Sequence, residues 1–151
     1  MIEIIVGSGM DVPTIMPVMN DAFDPDFGEA WTAAQCLSTL SMPGGQLLIA
    51  KSGTEIAGFA LSRGVVDEEE LLLIGVLKSA RRSGVGQKLI THLQSICTDL
   101  KRSVIFLEVR DGNSAYSFYS DMGFEPVGRR SNYYKSRHGD QRDSVTMALA
   151  L

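Results

Sequence analysis

Hydrophobic positions along this chain switch between a period of two and a period near three and a half, and each switch marks an element. Met1 to Val6 is a short β-prone run, ended by Gly7, Ser8 and Gly9. From Asp11 to Phe23, the residues Val12, Ile15, Met16, Met19 and Phe23 recur at the spacing of one helix face. Asp11 is placed to cap that helix and Pro13 falls in its first turn. A second helix is predicted over Glu29 to Leu40, closed by Pro43-Gly44-Gly45. Gln46 to Lys51 and Glu55 to Val66 read as strands joined by the Ser52-Gly53-Thr54 turn, and Glu70 to Leu77 as a further apolar strand. Helical spacing returns between Gly84 and Leu100 through Leu89, Leu93, Ile96, Cys97 and Leu100. Val104 to Val109 is so continuously apolar that it belongs inside a sheet. Asn113 to Met122 is a short helix, and Gly123 suits the left-handed position just past its end. Phe124 to Arg129 and Asp143 to Leu149 close the chain as strands. The predicted order is β-α-α-β-β-β-α-β-α-β-β: one mixed α/β domain over residues 1–151, with no internal repeat or linker. Its first half is mostly antiparallel, and a strand–helix–strand unit lies in its middle.

Composition adds limits to that pattern. A chain of 151 residues with 44% hydrophobic and 21% charged residues fits one ordinary globular domain. A net charge of −4 carries no footprint for general nucleic-acid binding. The acidic run Asp67 to Glu70 reads either as solvated surface or as a lure for a basic peptide. Cys36 and Cys97 stand far apart on helical apolar faces, which predicts small buried hydrophobes in a reducing compartment. Neither His92 nor His138 lies in a metal-ligand spacing, so no metal is expected. With no basic-then-apolar leader and no apolar run near 18 residues, the expected location is the cytoplasm.

Three segments carry candidate chemistry. The run Ile74-Gly75-Val76 followed by Arg82-Ser83-Gly84-Val85-Gly86-Gln87 leads from a strand into a helix. Such a turn presents unpaired N–H groups at a helix N-terminus, where the dipole also favours an anion. Gly84 and Gly86 keep side chains away from that anion, and Arg82 and Lys88 add charge. The spacing is R-x-x-G-x-G, which is neither a Walker loop nor the dinucleotide fingerprint. Gly75 inside a strand marks either a close backbone approach or a packing accommodation. Glu108 interrupts the most apolar strand, where a carboxylate needs a partner, a wet cleft or a raised pKa; Arg110, on the same strand face, is one available partner. Tyr119 lies on the apolar face of the last helix with Ala115 and Met122.

The R-x-x-G-x-G turn, with Leu107-Glu108-Val109-Arg110, Asn113 and Phe118-Tyr119-Ser120-Asp121-Met122-Gly123-Phe124, resembles the GNAT acetyltransferases, and within them the RimI-like ribosomal-protein-alanine N-acetyltransferases. Arg129-Arg130-Ser131-Asn132-Tyr133-Tyr134, Gly139, Asp143 and Met147-Ala148-Leu149 resemble the tail of that subfamily. The likeness covers residues 55 to 149. It implies a mixed, mostly antiparallel sheet of about seven strands with about four flanking helices and a splayed strand pair in the middle. It also implies acetyl-CoA as cosubstrate, its pyrophosphate on residues 82–87 and its pantetheine arm along Ile74, Gly75 and Val76, with Asn113 a further contact. The resemblance makes Glu108 the general base and Tyr119 the general acid, with the Val76 amide polarising the thioester carbonyl. Two departures stand out. The stretch from Asn113 to Tyr119 is one residue shorter than the family pattern, and Leu77-Lys78-Ser79 replaces an acidic-Pro-acidic turn.

The amine is read separately. An α-amine near pKa 7.8 costs about 3.5 kcal/mol less to deprotonate at neutral pH than a lysine near 10.4. A single glutamate base therefore suits a protein N-terminus, and the resemblance implies the alanine terminus of a small-subunit ribosomal protein. Trp31 falls where the family's substrate-facing helices lie. Tyr133 and Tyr134, expected in the loop before the last strand, either flank an extended peptide or pair across a hairpin. Two other readings stay open: an acetyltransferase of a polyamine, aminosugar or amino acid, with a closed acidic pocket, and a non-catalytic acyl-CoA-binding module.

Overall fold

The structure, a computed structural model, describes residues 1–151. Its elements are β1 (Ile2–Gly7), α1 (Val12–Ala22), α2 (Ala33–Ser41), β2 (Gly45–Ser52), β3 (Glu55–Val65), β4 (Glu68–Val76), α3 (Val85–Asp99), β5 (Val104–Arg110), α4 (Ala115–Asp121), β6 (Glu125–Lys135) and β7 (Gln141–Ala150). The order is the predicted one. Local chemistry moves several boundaries. Helix α2 starts at Ala33 rather than Glu29, because Thr32 caps it: its hydroxyl accepts from Gln35 N at 3.1 Å, and Gln35 Oε1 accepts from Thr32 N at 2.8 Å. Glu29 is left in the connection, just after the left-handed Gly28. Asp11 does not cap α1 with its side chain; its carboxylate takes the Ser8 N–H at 2.8 Å in the preceding turn. Gly123 does end α4 as expected, at φ +100°, with Phe124 N donating to Tyr119 O and Gly123 N to Ser120 O.

The last hairpin departs most from expectation. Strand β6 runs on to Lys135, so Tyr133 and Tyr134 belong to a strand and not to a loop. Pairing with β7 breaks after Arg130, bulges through Asn132 at φ +53°, and resumes at Tyr134 opposite Arg142. The Asn132 N–H, freed by the bulge, donates to Asp143 Oδ1 at 2.9 Å.

The seven strands form one sheet in the order β1-β2-β3-β4-β5-β7-β6. All neighbours are antiparallel except β4 and β5. Those two pair only at Glu68–Val104, Glu69–Ile105 and Glu70–Phe106. Beyond that point β4 stays on β3 as far as Val76 and β5 stays on β7 as far as Arg110, so the sheet opens between them. The closed end is stitched by Ser103 N to Asp67 O at 2.6 Å and by a buried Glu69 carboxylate 3.3 Å from Arg102 Nε. The acidic run 67–70 is therefore not uniformly solvated.

Side chains alternate across the sheet and build two cores. On one face α1 and α2 bury Ile15, Met19 and Cys36 against Leu47, Ile49 and Phe59. On the other, α3 and α4 bury Leu89, Leu93, Cys97 and Tyr119 against Leu48, Ile105 and Leu107. Both cysteines are free thiols in these cores. Burial first, and the Glu69 carboxylate second, push the Cys97 thiol from 9.0 up to about 12. The unfolded chain ionises that thiol near pH 9 while the native one stays protonated, so the unfolded form gains as pH climbs from 9 towards 12. Melting temperatures followed by circular dichroism are expected to fall above pH 9, and Cys97→Ala to flatten that fall.

Candidate active site

The connection from β4 to α3 leaves a row of donors free. It passes through a short turn whose Lys78 N–H donates to Asp21 Oδ2 at 2.7 Å, and Arg81 reaches Ala22 O at 2.6 Å, which tie it to the end of α1. Arg82 and Gly84 then adopt left-handed φ values of +63° and +87°. The N–H groups from Arg82 through Gln87 donate to no protein acceptor, and the first bond of the helix is Lys88 N to Gly84 O. Consecutive free N–H groups at the start of a 15-residue helix are the kind of donor set that can hold an anion. The two glycines serve it differently. Gly84 needs its positive φ and faces open space. A Cβ on Gly86 would come 3.0 Å from the Phe118 ring, so that glycine lets α4 approach α3. Val85 gives only its N–H, since its side chain is buried in the core.

The opening beside β4 adds a second set of main-chain groups. Leu77 N donates to Ala57 O at 2.9 Å, and Gly75 lies opposite Phe59 in the same ladder. Antiparallel alternation commits Gly75 to β3 and turns the Ile74 and Val76 main-chain groups towards β5, where no strand meets them. Gly75 is a packing accommodation: a Cβ there would sit 2.8 Å from Phe59 Cε1.

Glu108 is exposed; of the three ways an apolar strand can carry a carboxylate, contact with water is the one found. Its neighbours Leu107 and Val109 face the α3 core, whereas Phe106, Glu108 and Arg110 project from the opposite face of β5, beyond the core that α1 and α2 build over β2 to β4. Glu108 is therefore open to solvent there. Glu108 does not pair with Arg110 either. Arg110 instead meets Glu29, with Nε to Oε2 and Nη2 to Oε1 both at 3.4 Å, and its guanidinium lies 4.0 Å over the Phe27 ring. Glu70 shares the Glu108 face, and its carboxyl is pushed up by burial first and by Glu108 second, against Arg63. An open groove of Arg63, Asp67, Glu68, Glu70 and Phe106 continues along that face.

Tyr119 is buried on α4, its ring 5.5 Å from Phe118 and 5.8 Å from Phe124. Burial first, then Glu29 and Tyr134, hold its hydroxyl well above the ordinary phenol range. It therefore stays protonated around neutral pH. Tyr134 is raised in the same way, by burial and then by Glu29 and Glu108. Tyr134 thus lies within electrostatic reach of both carboxylates, while Tyr133 stands exposed with Arg130 4.7 Å over its ring. Trp31 packs on the α1 core, its main-chain N donating to Met19 Sδ at 3.4 Å. Asn113 spends its side-chain oxygen on Ala115 N at 2.9 Å, opening α4. The sequence reading missed Glu29; the isolated acid after Asp24-Pro25-Asp26-Phe27-Gly28 carries no period or motif that marks it.

Known proteins share this arrangement. The acetyltransferase (GNAT) domain family matches residues 19–138. The [ribosomal protein bS18]-alanine N-acetyltransferase of Haemophilus influenzae is 35% identical over 97 residues, which span 64% of this chain and 66% of that relative. The N-alpha-acetyltransferase RimI of Mycobacterium tuberculosis is 31% identical over 125 residues, 77% of either chain. The crystal structure of the ribosomal-protein-S18-alanine N-acetyltransferase from Escherichia coli superposes with a TM-score of 0.89 at 26% identity, over 99% of this chain and 94% of that one. With the family match running over residues 19–138, most of its length, this chain belongs to the GNAT acetyltransferase family.

Proposed function

We propose that this protein transfers the acetyl group of acetyl-CoA to the α-amine of a protein N-terminus, of the ribosomal-protein-alanine type. The observation that carries the reading is the opening between β4 and β5, with free donors at its mouth and a carboxylate and a phenol around it. The N–H groups of Arg82 to Gln87 take the pyrophosphate, and the Ile74 and Val76 strand groups take the amide-bearing arm. The Val76 N–H polarises the thioester carbonyl. Glu108 accepts the proton of the ammonium through water, which its exposure allows. The freed amine attacks the carbonyl directly, and Tyr119 gives its proton to the departing thiolate. Neither thiol serves as a nucleophile, since Cys36 and Cys97 are both buried. A reducing cytoplasm suits both.

The relatives named for N-terminal alanine acetylation support the choice of amine. So does the proton cost, which favours an α-amine over lysine by roughly 400-fold at neutral pH. Incubation with acetyl-CoA of peptides bearing either a free N-terminus or only a free lysine, followed by mass mapping, tests this. Acetyl on the α-amine is expected. No product on any α-amine ends the N-terminal reading, and no heat with coenzyme A in calorimetry ends the acetyltransferase reading altogether. One observation favours a second substrate class: the acid-lined groove of Asp67, Glu68 and Glu70 suits a small polycation. Turnover of a polyamine in preference to every peptide would establish it.

A further inference from the structure

Glu29 belongs to no helix, no strand and no motif, yet tertiary folding brings it to the end of β5, 81 residues away from its partner Arg110. The side chains of this pair are only 16% and 10% exposed. A pair so far removed from water gives up much of its Coulombic gain to desolvation, so stability alone does not account for it. Its geometry is also loose. Both N–O contacts measure 3.4 Å, where a tight charge-assisted bond measures about 2.8 Å. The carboxylate thus keeps lone pairs to spare, and Arg110 is held independently from its other side by the Phe27 ring.

Arg110 follows Glu108 by two residues on the same strand, so the two project from one face of β5, and Glu29 is brought to that face by its contacts with Arg110. Ser144, in register with Arg110, is 1% exposed, and its hydroxyl lies beside the Tyr134 phenol, so the floor of this face is polar.

We propose that Glu29 receives the charged amine of the substrate opposite Glu108, and that Arg110 is a positioning residue that holds Glu29 in place. The inference rests on the acetyltransferase reading and deepens it. Glu29 recognises the ammonium, and Glu108 removes its proton. The influence of Glu29 on both Tyr119 and Tyr134 agrees with its place among the reacting groups.

Steady-state kinetics with an alanine-led peptide and acetyl-CoA tests it in wild type, Glu29→Gln, Arg110→Met, Arg110→Lys and the double variant Glu29→Gln/Arg110→Gln. Glu29→Gln is expected to raise the peptide KM about tenfold or more, with kcat changed less than threefold and the acetyl-CoA KM unchanged. Arg110→Met is expected to raise the peptide KM similarly, and Arg110→Lys to restore it to within about threefold. The double variant leaves no unpaired charge, and its peptide KM should remain raised. A Glu29→Gln peptide KM within about twofold of wild type overturns the inference, and so does a double variant that recovers the wild-type value. Wild-type protein that acetylates no amine would instead remove the acetyltransferase reading, and this inference with it.

Discussion

Glu108→Gln is expected to lower kcat by about 10²- to 10⁴-fold while leaving the affinity for coenzyme A unchanged. The separation follows from the architecture. The donors that would hold the cofactor are main-chain groups of residues 82–87 and of β4, and none of them touches β5 beyond Phe106. Glutamine keeps the size and polarity of the side chain and removes only its capacity to accept a proton. Its exposure on the open face means that no buried partner is orphaned, so the fold should be unaffected. Tyr119→Phe should produce a loss of the same order by a different route, since it removes the proton given to the leaving group. Burial keeps that phenol protonated far above neutral pH, so wild-type kcat should show no alkaline fall from its ionisation between pH 6 and 9. Rate measurements over that range, with calorimetry for the cofactor, check both variants. A Glu108→Gln enzyme whose kcat matches wild type throughout removes Glu108 from the role of base.

Phe59→Ala is expected to cost about 3–5 kcal/mol of stability, the largest effect of any single core change considered. Phe59 is fully buried on β3, at the centre of the α1–α2 core. Its ring occupies the space that a side chain at Gly75 would need, with Cε1 2.8 Å from the position of that missing Cβ. Truncation empties this space directly beneath β4, where α1 covers the strand that borders the opening. For a chain of this size the melting temperature should drop by roughly 6–20 °C. The two positions should also be coupled. Gly75→Ala alone drives a methyl into the ring and destabilises; in a Phe59→Ala background it fills part of the void. The double variant should therefore be clearly more stable than the sum of the single effects predicts, as melts of all four proteins can show. Additive losses would mean that Gly75 is a glycine for some reason other than the ring.

Legibility in the sequence tracked the range of the interactions involved. Helix α3 was visible because Leu89, Leu93, Ile96 and Cys97 repeat within one segment, and the turn before it because R-x-x-G-x-G is a local spacing. Helix α2 begins four residues later than its apolar pattern suggests, because its start depends on which polar residue caps it, and Thr32 with Gln35 does so. The β6–β7 hairpin is longer than its local pattern suggests, because a bulge lets Ser131 to Tyr133 stay unpaired before the ladder resumes at Tyr134. Glu108 was expected inside an apolar strand because five of its neighbours are apolar. That face is open because the core under α1 and α2 ends before β5.

The chain alone determined the order of its elements, the donor-rich turn at 82–87 and the spacing of Glu108 from Tyr119. Each of these is written in periods or motifs within one stretch of backbone, where neighbouring residues act on one another directly. Tertiary structure alone decided how far β4 and β5 stay together, that Glu108 meets water, and that Glu29 comes to rest on Arg110. Those outcomes depend on packing between segments distant in sequence, and no local pattern carries the energy that selects among them.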